Sequence, residues 1–394
     1  QATDNLAEGS SKMYKIATLN KISPVGLSEL TDRYQIIEET EKADGIVVRS
    51  QNMKEMDFSE NLLCIARAGV GVNNIPTDRC TEKGIAVFNT PGANANAVKE
   101  MVIAAMLLAS RDIIGGSIWS AGLTGDIAKQ VEKGKSQFKG CEIIGKTLGV
   151  IGLGGIGVPV ANAAASLGMK VIGYDAYLSV KNALHISDKV QVVEKLDDML
   201  PECDFLTVHV HANDATNGMI NGDTFAKMKD GSVLLNYARA SIVDTPSLKE
   251  ALESGKLRKY VTDFPNEDMP GLPNVILTPH LGASTMEAED NCAVMAVEEM
   301  MDYIENGNIT NSVNFPACHM GTCRGANRLA LFHKNIPNII AQITNAITEL
   351  NISDMMNKSR GDYAYTLMDL DSPVTGETIE KLNRIKGLIR FRAI

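Results

Sequence analysis

The chain has 394 residues, 44% of them hydrophobic, and a formal net charge of −10 at pH 7. We expect two or three domains, because single hydrophobic cores stop growing at about 250–300 residues. The acidic balance argues against a nucleic-acid-binding surface. No apolar run reaches the ~18 residues that a membrane helix needs, so we expect neither nucleic acid nor membrane as a partner.

The cysteines indicate a reducing compartment. There are seven of them, without regular spacing, which is typical of free thiols in a cytoplasmic protein. Cys318 and Cys323 flank His319, but no second pair follows, so we favour free thiols and expect no metal. Residues 1–12 are polar and lack the apolar stretch of a signal peptide, so we interpret them as an appended leader before a natural start at Met13.

The first third of the chain alternates β-like runs with polar, helix-compatible stretches. Its apolar runs predict strands at 14–19, 45–48, 63–66 and 85–88, and a long helix follows over about 95–111. This alternation is typical of an α/β domain with a parallel sheet. A second long helix over about 284–306 carries the chain back. We therefore expect a discontinuous, flavodoxin-like substrate-binding domain made of residues 13–110 and 283–316.

Residues 147–175 have the spacing of a dinucleotide-binding segment. An apolar run at 147–151 leads into Gly152, Gly154 and Gly157, and an Ala-rich stretch then precedes a second apolar run at 170–174. In this pattern the first glycine makes a tight turn, the second lets the backbone approach a pyrophosphate, and the third lets the helix close on the strand. The pyrophosphate would lie on N–H groups at the helix N-terminus.

The acid at the end of the second run indicates which dinucleotide binds. Asp175 is placed to accept hydrogen bonds from the adenosine ribose hydroxyls, and a carboxylate there repels a 2′-phosphate. Ala176 supplies no arginine to hold that phosphate. The segment therefore predicts NAD as the cofactor, within a Rossmann-type domain over residues 111–282. Further strands of this domain are predicted at 205–210, 233–236, 260–263 and 275–277.

The last part of the chain has the pattern of a separate small domain. Residues 317–327 are poor in apolar periodicity and contain Gly321 and Gly325, which favours a linker. Residues 328–394 then follow a strand–helix–strand–strand–helix–strand order, which is typical of a ferredoxin-like βαββαβ fold.

Three polar residues follow predicted strands of the nucleotide-binding domain. They are Arg239, Glu267 and His280, and ligands of open α/β sheets bind at strand C-termini. A histidine suits proton transfer near neutral pH, a carboxylate fixes its tautomer, and a guanidinium grips a substrate carboxylate bidentately. Singly, each could be an ordinary surface or loop residue; jointly they favour the oxidation of a hydroxy acid.

Several motifs resemble one known family. Residues 66–76, 236–244 and 278–285, together with the glycine segment, are similar to D-isomer-specific 2-hydroxyacid dehydrogenases. Val48–Ser50, Val313–Pro316 and the C-terminal domain resemble the branch that acts on 3-phosphoglycerate. The resemblance implies NAD-dependent oxidation of 3-phospho-D-glycerate to 3-phosphohydroxypyruvate, the first step of L-serine synthesis. A homodimer or homotetramer is also implied.

The resemblance also implies roles for individual residues. His280 would be the acid/base, Glu267 its partner, and Arg239 the anchor of the substrate carboxylate. The substrate would further be held by Arg49, near its phosphate, and by Ser50, Gly71 and Asn94. Besides the glycines and Asp175, the cofactor would be lined by Val70, Gly155, Ile156, Val210, Tyr237, Ala238, Arg239, Asp263, His280, Leu281, Gly282 and Ala283.

One segment departs from the family pattern. The family has Asp-Val-Phe before the catalytic glutamate, whereas Asp263-Phe-Pro265 is one residue shorter. In one interpretation Asp263 keeps its contact with the nicotinamide and the loop that follows is one residue shorter. In the other, the alignment with the family shifts by one residue, and Asp268 then takes the place of Glu267 as the catalytic acid.

The C-terminal domain resembles ACT domains, which bind effectors. By this resemblance His333 and Asn335 from one loop and Asn351 from another would bind L-serine. Asn338 stands where the family often has glycine, which could alter the pocket. A competing interpretation is that these are ordinary cap and turn residues.

The sequence also allows two different functions. The chain could reduce hydroxypyruvate or glyoxylate, or it could be a non-catalytic NAD-sensing protein. We interpret His209 and His211 as structural. A run of lysines could be a solvated face or could steer phosphate, including across a dimer interface; it comprises Lys129, Lys133, Lys135, Lys139 and Lys146.

Overall fold

The computed structural model describes residues 12–323 and 325–394, so the expected leader falls, except for Lys12, outside the described residues. The chain divides into two compact units. One runs up to Ala93 and resumes from Glu289 to Ile394, and the other comprises Asn94–Ala288.

The first unit begins with a five-stranded parallel sheet. Its strands are β1 (Tyr14–Leu19), β2 (Tyr34–Ile37), β3 (Gly45–Val48), β4 (Cys64–Arg67) and β5 (Ala86–Phe88), and its helices are α1 (Pro24–Leu27) and α2 (Thr77–Glu82). The strand order is β2-β1-β3-β4-β5, with every neighbouring pair parallel. This is the flavodoxin-like order, so the predicted fold class is confirmed here.

The second unit is built on a seven-stranded parallel sheet. Its strands are β6 (Thr147–Ile151), β7 (Lys170–Tyr174), β8 (Val190–Val193), β9 (Phe205–Val208), β10 (Ser232–Asn236), β11 (Leu257–Thr262) and β12 (Val275–Leu277). The order β12-β11-β10-β9-β6-β7-β8 is that of a Rossmann sheet with one added strand. The order reverses between β6 and β9, which creates a crevice at their carboxyl ends.

The helices of the second unit cover this sheet. They are α3 (Ala95–Ser110), α4 (Ile113–Ala121), α5 (Ile127–Gly134), α6 (Gly157–Ser166), α7 (Val180–Ala183), α8 (Leu196–Met199), α9 (Gly222–Lys227) and α10 (Thr245–Glu253). Short 3-10 helices in the two units span Thr40–Lys42, Lys135–Phe138, Leu200–Glu202 and Ala240–Ile242.

The long helix α3 belongs to the second unit, whereas the sequence analysis placed the division at residue 110. Val98, Val102 and Met106 on α3 are buried in one hydrophobic cluster with Val158 and Ala161 of α6. Because the apolar face of α3 packs on the nucleotide-binding layer, the compact unit starts at Asn94. The sequence pattern shows the apolar face but not the layer that covers it.

The C-terminal part is an antiparallel sheet with two helices. After α11 (Met286–Asn306) come β13 (Asn327–Lys334), α12 (Ile339–Ala346), β14 (Ile352–Arg360), β15 (Tyr363–Leu370), α13 (Gly376–Asn383) and β16 (Leu388–Ala393). The sheet order is β14-β15-β13-β16, which confirms the predicted βαββαβ arrangement.

This antiparallel sheet packs within the first unit on both faces. One face lies under α12 and α13, and the other shares a core with the first sheet. The ring of Phe332 lies 4.3 Å from Phe315 and 4.5 Å from Tyr365, centroid to centroid. Arg392 donates to the backbone oxygen of Ile304 on α11 at 2.9 Å. The C-terminal sheet is therefore an integral part of the first unit.

Among the helices of the described residues, none alone is long and apolar enough to cross a membrane. Only α3 and α4 taken together reach that length and composition, and a bend of 69° separates them.

Candidate active site

The loop after β6 has a shape that requires glycine at two positions. Gly152 has φ of +92°, in the left-handed region. A Cβ on Gly157 would lie 1.8 Å from the carbonyl oxygen of Gly152, whereas a Cβ on Gly154 would meet nothing within 4 Å. The backbone at Gly154 therefore faces open space, as close approach of a ligand needs.

The donors and the acid around this loop fit a dinucleotide. Among the described residues, the N–H groups of Gly155 and Ile156 form no backbone hydrogen bond, and they precede the ten-residue helix α6. Asp175, at the end of β7, accepts the Leu153 N–H at 2.8 Å through Oδ2 and the Tyr177 N–H at 2.8 Å through Oδ1. Each carboxylate oxygen keeps a further lone pair for a ribose hydroxyl. The pyrophosphate would lie on the two N–H groups.

Across the crevice, β9 ends beside the glycine loop. The Cβ position of Gly152 is 3.0 Å from Cγ1 of Val210 and 2.5 Å from the backbone oxygen of His209. Burial lowers the pKa of His209 to about 3, and its Nε2 lies 3.0 Å from Thr207 Oγ1. His209 is thus a neutral residue with an enclosed ring, as a structural role requires. His211, two residues further along the chain, is exposed.

Three adjacent strands bring three side chains into one row. Arg239 follows β10, Phe264 follows β11 and His280 follows β12, and these strands are neighbours in the sheet. Cζ of Arg239 lies 5.3 Å from the centroid of the Phe264 ring, and the ring centroids of Phe264 and His280 lie 4.7 Å apart. The structure thus places Arg239 and His280 against one shared ring. Phe264 follows a predicted strand as the two polar residues do, but an aromatic side chain gives no signal of this role in the sequence.

The loop that carries His280 is held by Asp263. This carboxylate is 1% exposed. Its Oδ1 accepts the Leu281 N–H at 2.7 Å and the Thr278 hydroxyl at 2.6 Å, and its Oδ2 accepts the Gly282 N–H at 2.7 Å. His280 itself has φ of +56°, a left-handed conformation that is uncommon for histidine. Asp263 therefore stabilises the strained loop.

The other predicted cofactor residues that follow β10 and β12 are mostly buried. Tyr237, Ala238 and Gly282 are buried, Ala283 is half-buried and Leu281 is exposed. Burial raises the pKa of Tyr237 to about 12, so its hydroxyl stays protonated at neutral pH.

The two candidate acids of the 263–268 loop differ in their contacts. Asp268 Oδ1 lies 3.3 Å from Lys249 Nζ, so this carboxylate points to α10. Glu267 is exposed and has no hydrogen bond or ion pair within the described residues. The choice between them, and the pairing of Glu267 with His280, stay predictions.

The first unit holds a second group of predicted site residues. Arg49 Nη2 lies 2.6 Å from Glu289 Oε1. The N–H of Ser50 donates to Asn20 Oδ1 at 2.8 Å. The sequence analysis missed both Glu289 and Asn20, because their partners are far away along the chain.

The remaining substrate and nicotinamide residues are placed as follows. Val70 accepts the Asn89 Nδ2 amide at 2.6 Å through its backbone oxygen, and Gly71 is half-buried. Asn94 belongs to the second unit, and its Oδ1 is buried without a hydrogen-bond partner among the described residues. Such an orphaned acceptor fits a residue that awaits a ligand.

Known proteins resemble the chain over most of its length. Residues 103–282 match the family model for the NAD-binding domain of D-isomer specific 2-hydroxyacid dehydrogenases. A putative D-3-phosphoglycerate dehydrogenase of Schizosaccharomyces pombe is 31% identical over 95% of this chain and 86% of that protein. The chain belongs to the D-isomer-specific 2-hydroxyacid dehydrogenase family. It is accordingly an NAD-dependent oxidoreductase, which confirms the predicted enzyme class and cofactor.

Two further relatives bear on the branch of this dehydrogenase family. A hydroxypyruvate reductase of Thermotoga maritima is 36% identical over 72% of this chain and 92% of that protein. The NAD⁺-bound 3-phosphoglycerate dehydrogenase of Entamoeba histolytica is 25% identical, covers 77% of this chain and 99% of that one, and superimposes with a TM-score of 0.60.

The predicted effector residues of this dehydrogenase do not converge within one chain. His333 is 1% exposed; its Nδ1 lies 2.9 Å from the Lys334 oxygen and its Nε2 lies 2.8 Å from Thr366 Oγ1. Burial lowers the pKa of His333. Asn335 donates to the Gly361 oxygen at 3.0 Å.

The third effector residue lies at the other end of the sheet. Asn351 precedes β14, where Ile352 pairs with Leu370, whereas His333 pairs with Ala364. Six residues of one strand span roughly 20 Å, so a single copy cannot hold one serine with all three side chains.

The lysine run is solvent-exposed for most of its length. Only Lys146 is half-buried, and Lys135 Nζ forms an ion pair with Glu132 Oε2. A phosphate-steering role for these lysines stays a prediction.

Proposed function

We propose that this dehydrogenase oxidises 3-phospho-D-glycerate to 3-phosphohydroxypyruvate, the first step of L-serine synthesis. The observation that carries the proposal is the row formed by Arg239 and His280 at the ends of β10 and β12, on the same edge of the sheet as the dinucleotide loop. The similarity to a D-3-phosphoglycerate dehydrogenase over 95% of the chain supports this choice of substrate.

The side chains of the row supply complementary chemistry. The Arg239 guanidinium binds the substrate carboxylate and polarises the neighbouring oxygen. His280 accepts the hydroxyl proton as the carbonyl forms, and Glu267 stabilises the resulting imidazolium. NAD, held by the glycine loop and Asp175, would supply the acceptor for the hydride that leaves the substrate carbon. Loss of the hydroxyl proton to His280 and of a hydride from the same carbon turns the alcohol into a ketone.

The phosphate of the substrate needs a cation, and Arg49 is the candidate. It lines a small cavity of the first unit with Lys21, Ser23 and Glu289. The ion pair of Arg49 and Glu289 is exposed, with side chains 42% and 43% accessible. Exposed pairs contribute about 0–1 kcal/mol, so a phosphate dianion can displace Glu289.

A second candidate substrate is unphosphorylated hydroxypyruvate or glyoxylate. The specific observation in its favour is the same ion pair, because Glu289 neutralises the cation proposed for the phosphate. The similarity to a hydroxypyruvate reductase points the same way.

A substrate panel separates these candidates. NADH absorbance is followed with 3-phosphoglycerate and NAD, and in the reverse direction with 3-phosphohydroxypyruvate, hydroxypyruvate and glyoxylate. We expect kcat/KM for the phosphorylated ketoacid to exceed the others by at least about tenfold. Equal or better use of hydroxypyruvate would select the second candidate, and no turnover with intact NAD binding would select a non-catalytic NAD sensor.

We further propose regulation by L-serine and assembly into a homodimer or homotetramer. Support comes from the βαββαβ order of the C-terminal domain. A serine site would take Asn335 from one copy of the chain and Asn351 from another, and His333, whose ring nitrogens contact Lys334 and Thr366, would support the Asn335 loop from within. The seven free cysteines are consistent with a cytoplasmic location. Serine inhibition that disappears in Asn351→Ala, at unchanged activity without serine, is the expected result. Inhibition that persists in Asn351→Ala would contradict this role.

A further inference from the structure

Phe264 occupies the space between the two residues that carry the proposed chemistry. Its ring is 5.3 Å from Cζ of Arg239 on one side and 4.7 Å from the His280 ring on the other, with an interplanar angle of 56° to the imidazole. Both distances lie within the range of favourable cation–π and aromatic contacts.

The strand order explains why a side chain is needed there. The two strands β10 and β12 are separated by β11, and neighbouring strands lie about 4.8 Å apart. Arg239 and His280 therefore start roughly 10 Å apart. The loop that follows β11 lies between them, and Phe264, the second residue of that loop, contacts both side chains.

Apart from Phe264, few contacts fix the orientation of the Arg239 and His280 side chains. Arg239 donates one hydrogen bond, from Nη1 to the Ala238 oxygen at 2.7 Å. The His280 ring has no hydrogen bond within the described residues, and its contact is with Phe264. Asp263 holds the backbone around His280, but within the described residues it forms no hydrogen bond with the imidazole.

We propose that Phe264 is a positioning residue that sets the mutual orientation of the Arg239 guanidinium and the His280 imidazole. Its ring presents a negative face to a guanidinium and to the imidazolium that forms when His280 accepts a proton. This inference rests on the proposed roles of Arg239 and His280, but it holds for any 2-hydroxy acid substrate. The competing explanation is that the ring merely fills apolar space.

Three variants distinguish a ring that orients Arg239 and His280 from a ring that only fills apolar space. Phe264→Leu keeps an apolar side chain without a ring, Phe264→Tyr keeps the ring, and Phe225→Leu removes a buried ring, 3% exposed, from the core of the same unit. Each variant is assayed for kcat and KM, for NAD affinity, and for the primary isotope effect with substrate deuterated at the reacting carbon.

For Phe264→Leu we expect kcat to fall about tenfold, with NAD affinity within twofold of wild type. The isotope effect on kcat should be at least as large as in wild type, because the hydride step is the one that slows. Phe264→Tyr should retain kcat within twofold. Phe225→Leu should lower thermal stability without lowering kcat.

Several outcomes would overturn the proposal. The first is an unchanged kcat in Phe264→Leu. The second is an equal loss of kcat in Phe264→Leu and Phe264→Tyr. The third is a lower kcat in Phe264→Leu without an isotope effect on kcat. If Phe264→Leu does not fold, Phe264→Met is the replacement, judged by the same criteria. If wild type does not turn over 3-phosphoglycerate, the substrate proposal fails, and the variants are compared with NADH and hydroxypyruvate instead.

Discussion

At the scale of single residues, the site depends on contacts that sequence spacing cannot show. Arg239 and His280 were predicted because their side chains have obvious chemistry and follow predicted strands. Phe264 and Glu289 were missed, because an aromatic ring and a helix carboxylate gain meaning only from their neighbours in space. The His333 imidazole is predicted from the sequence as a ligand, but in the structure both its nitrogens contact the protein.

The ion pair between Arg49 and Glu289 yields a prediction about substrate affinity. Glu289→Gln removes the carboxylate that competes with a phosphate for Arg49. The KM for 3-phosphoglycerate should fall about two- to fivefold, the range expected for an exposed ion pair. The KM for hydroxypyruvate should not change.

The exposed Glu287, two residues earlier on the same helix, offers a matched control. Glu287→Gln makes the same change in net charge and should leave both KM values unaltered. If the two variants behave alike, the effect is one of overall charge and not of this pair.

At the scale of elements, the two long helices α3 and α11 and the central strands of the parallel sheets were predicted from periodicity, whereas most of the short helices were not. Strands β1, β6, β7 and β12 match the predicted bounds. The edge strands β2 and β8 were missed, because each has four residues of which only one is buried. Such short, half-exposed strands owe their conformation to the neighbouring strand and not to their own apolar pattern.

Helix α11 carries a half-buried acid that should make stability depend on pH. Burial raises the pKa of Glu299 to about 7, against an ordinary value of 4.5, and its Oε2 has no partner among the described residues. Between these values the folded state binds more protons than the unfolded state. Stability from this group therefore falls as the pH rises from about 4.5 to about 7.

Glu299→Gln should remove this dependence. At pH 8 the variant should melt roughly 2–5 °C above wild type, and near pH 4.5 the two should coincide. Thermal melting by circular dichroism across this range is the measurement. The exposed Glu287, at the start of the same helix and without influence on the pKa of Glu299, provides the control, Glu287→Gln, which should melt as wild type does. A higher melting temperature of Glu299→Gln at every pH would show a cause other than titration.

At the scale of the whole molecule, the three sheets could be predicted but their grouping could not. Residues 328–394 have the pattern of a separate module, yet their sheet shares a core with the first sheet. The apolar positions of both faces are visible in the sequence. Which partner covers each face depends on long-range packing, which no local pattern encodes.

This shared core predicts a large cost for a single substitution. Phe332→Ala removes a ring that contacts Phe315 and Tyr365, and it should lower the free energy of unfolding by about 3–5 kcal/mol. Urea unfolding followed by circular dichroism measures the change. Met355→Ala, on β14 and 37% exposed, should cost less than about 1 kcal/mol. Similar costs for the two variants would mean that the aromatic core adds little.

The central claim is that His280, which follows β12 at the same edge of the sheet as the dinucleotide loop, accepts the substrate proton. The variant His280→Asn tests it most directly, because asparagine tolerates the left-handed backbone that His280 adopts, with φ of +56°. We predict a loss of kcat of at least about 10²-fold, with a much smaller loss of NAD affinity. Near-normal turnover, or an equal loss of NAD binding, would contradict the account.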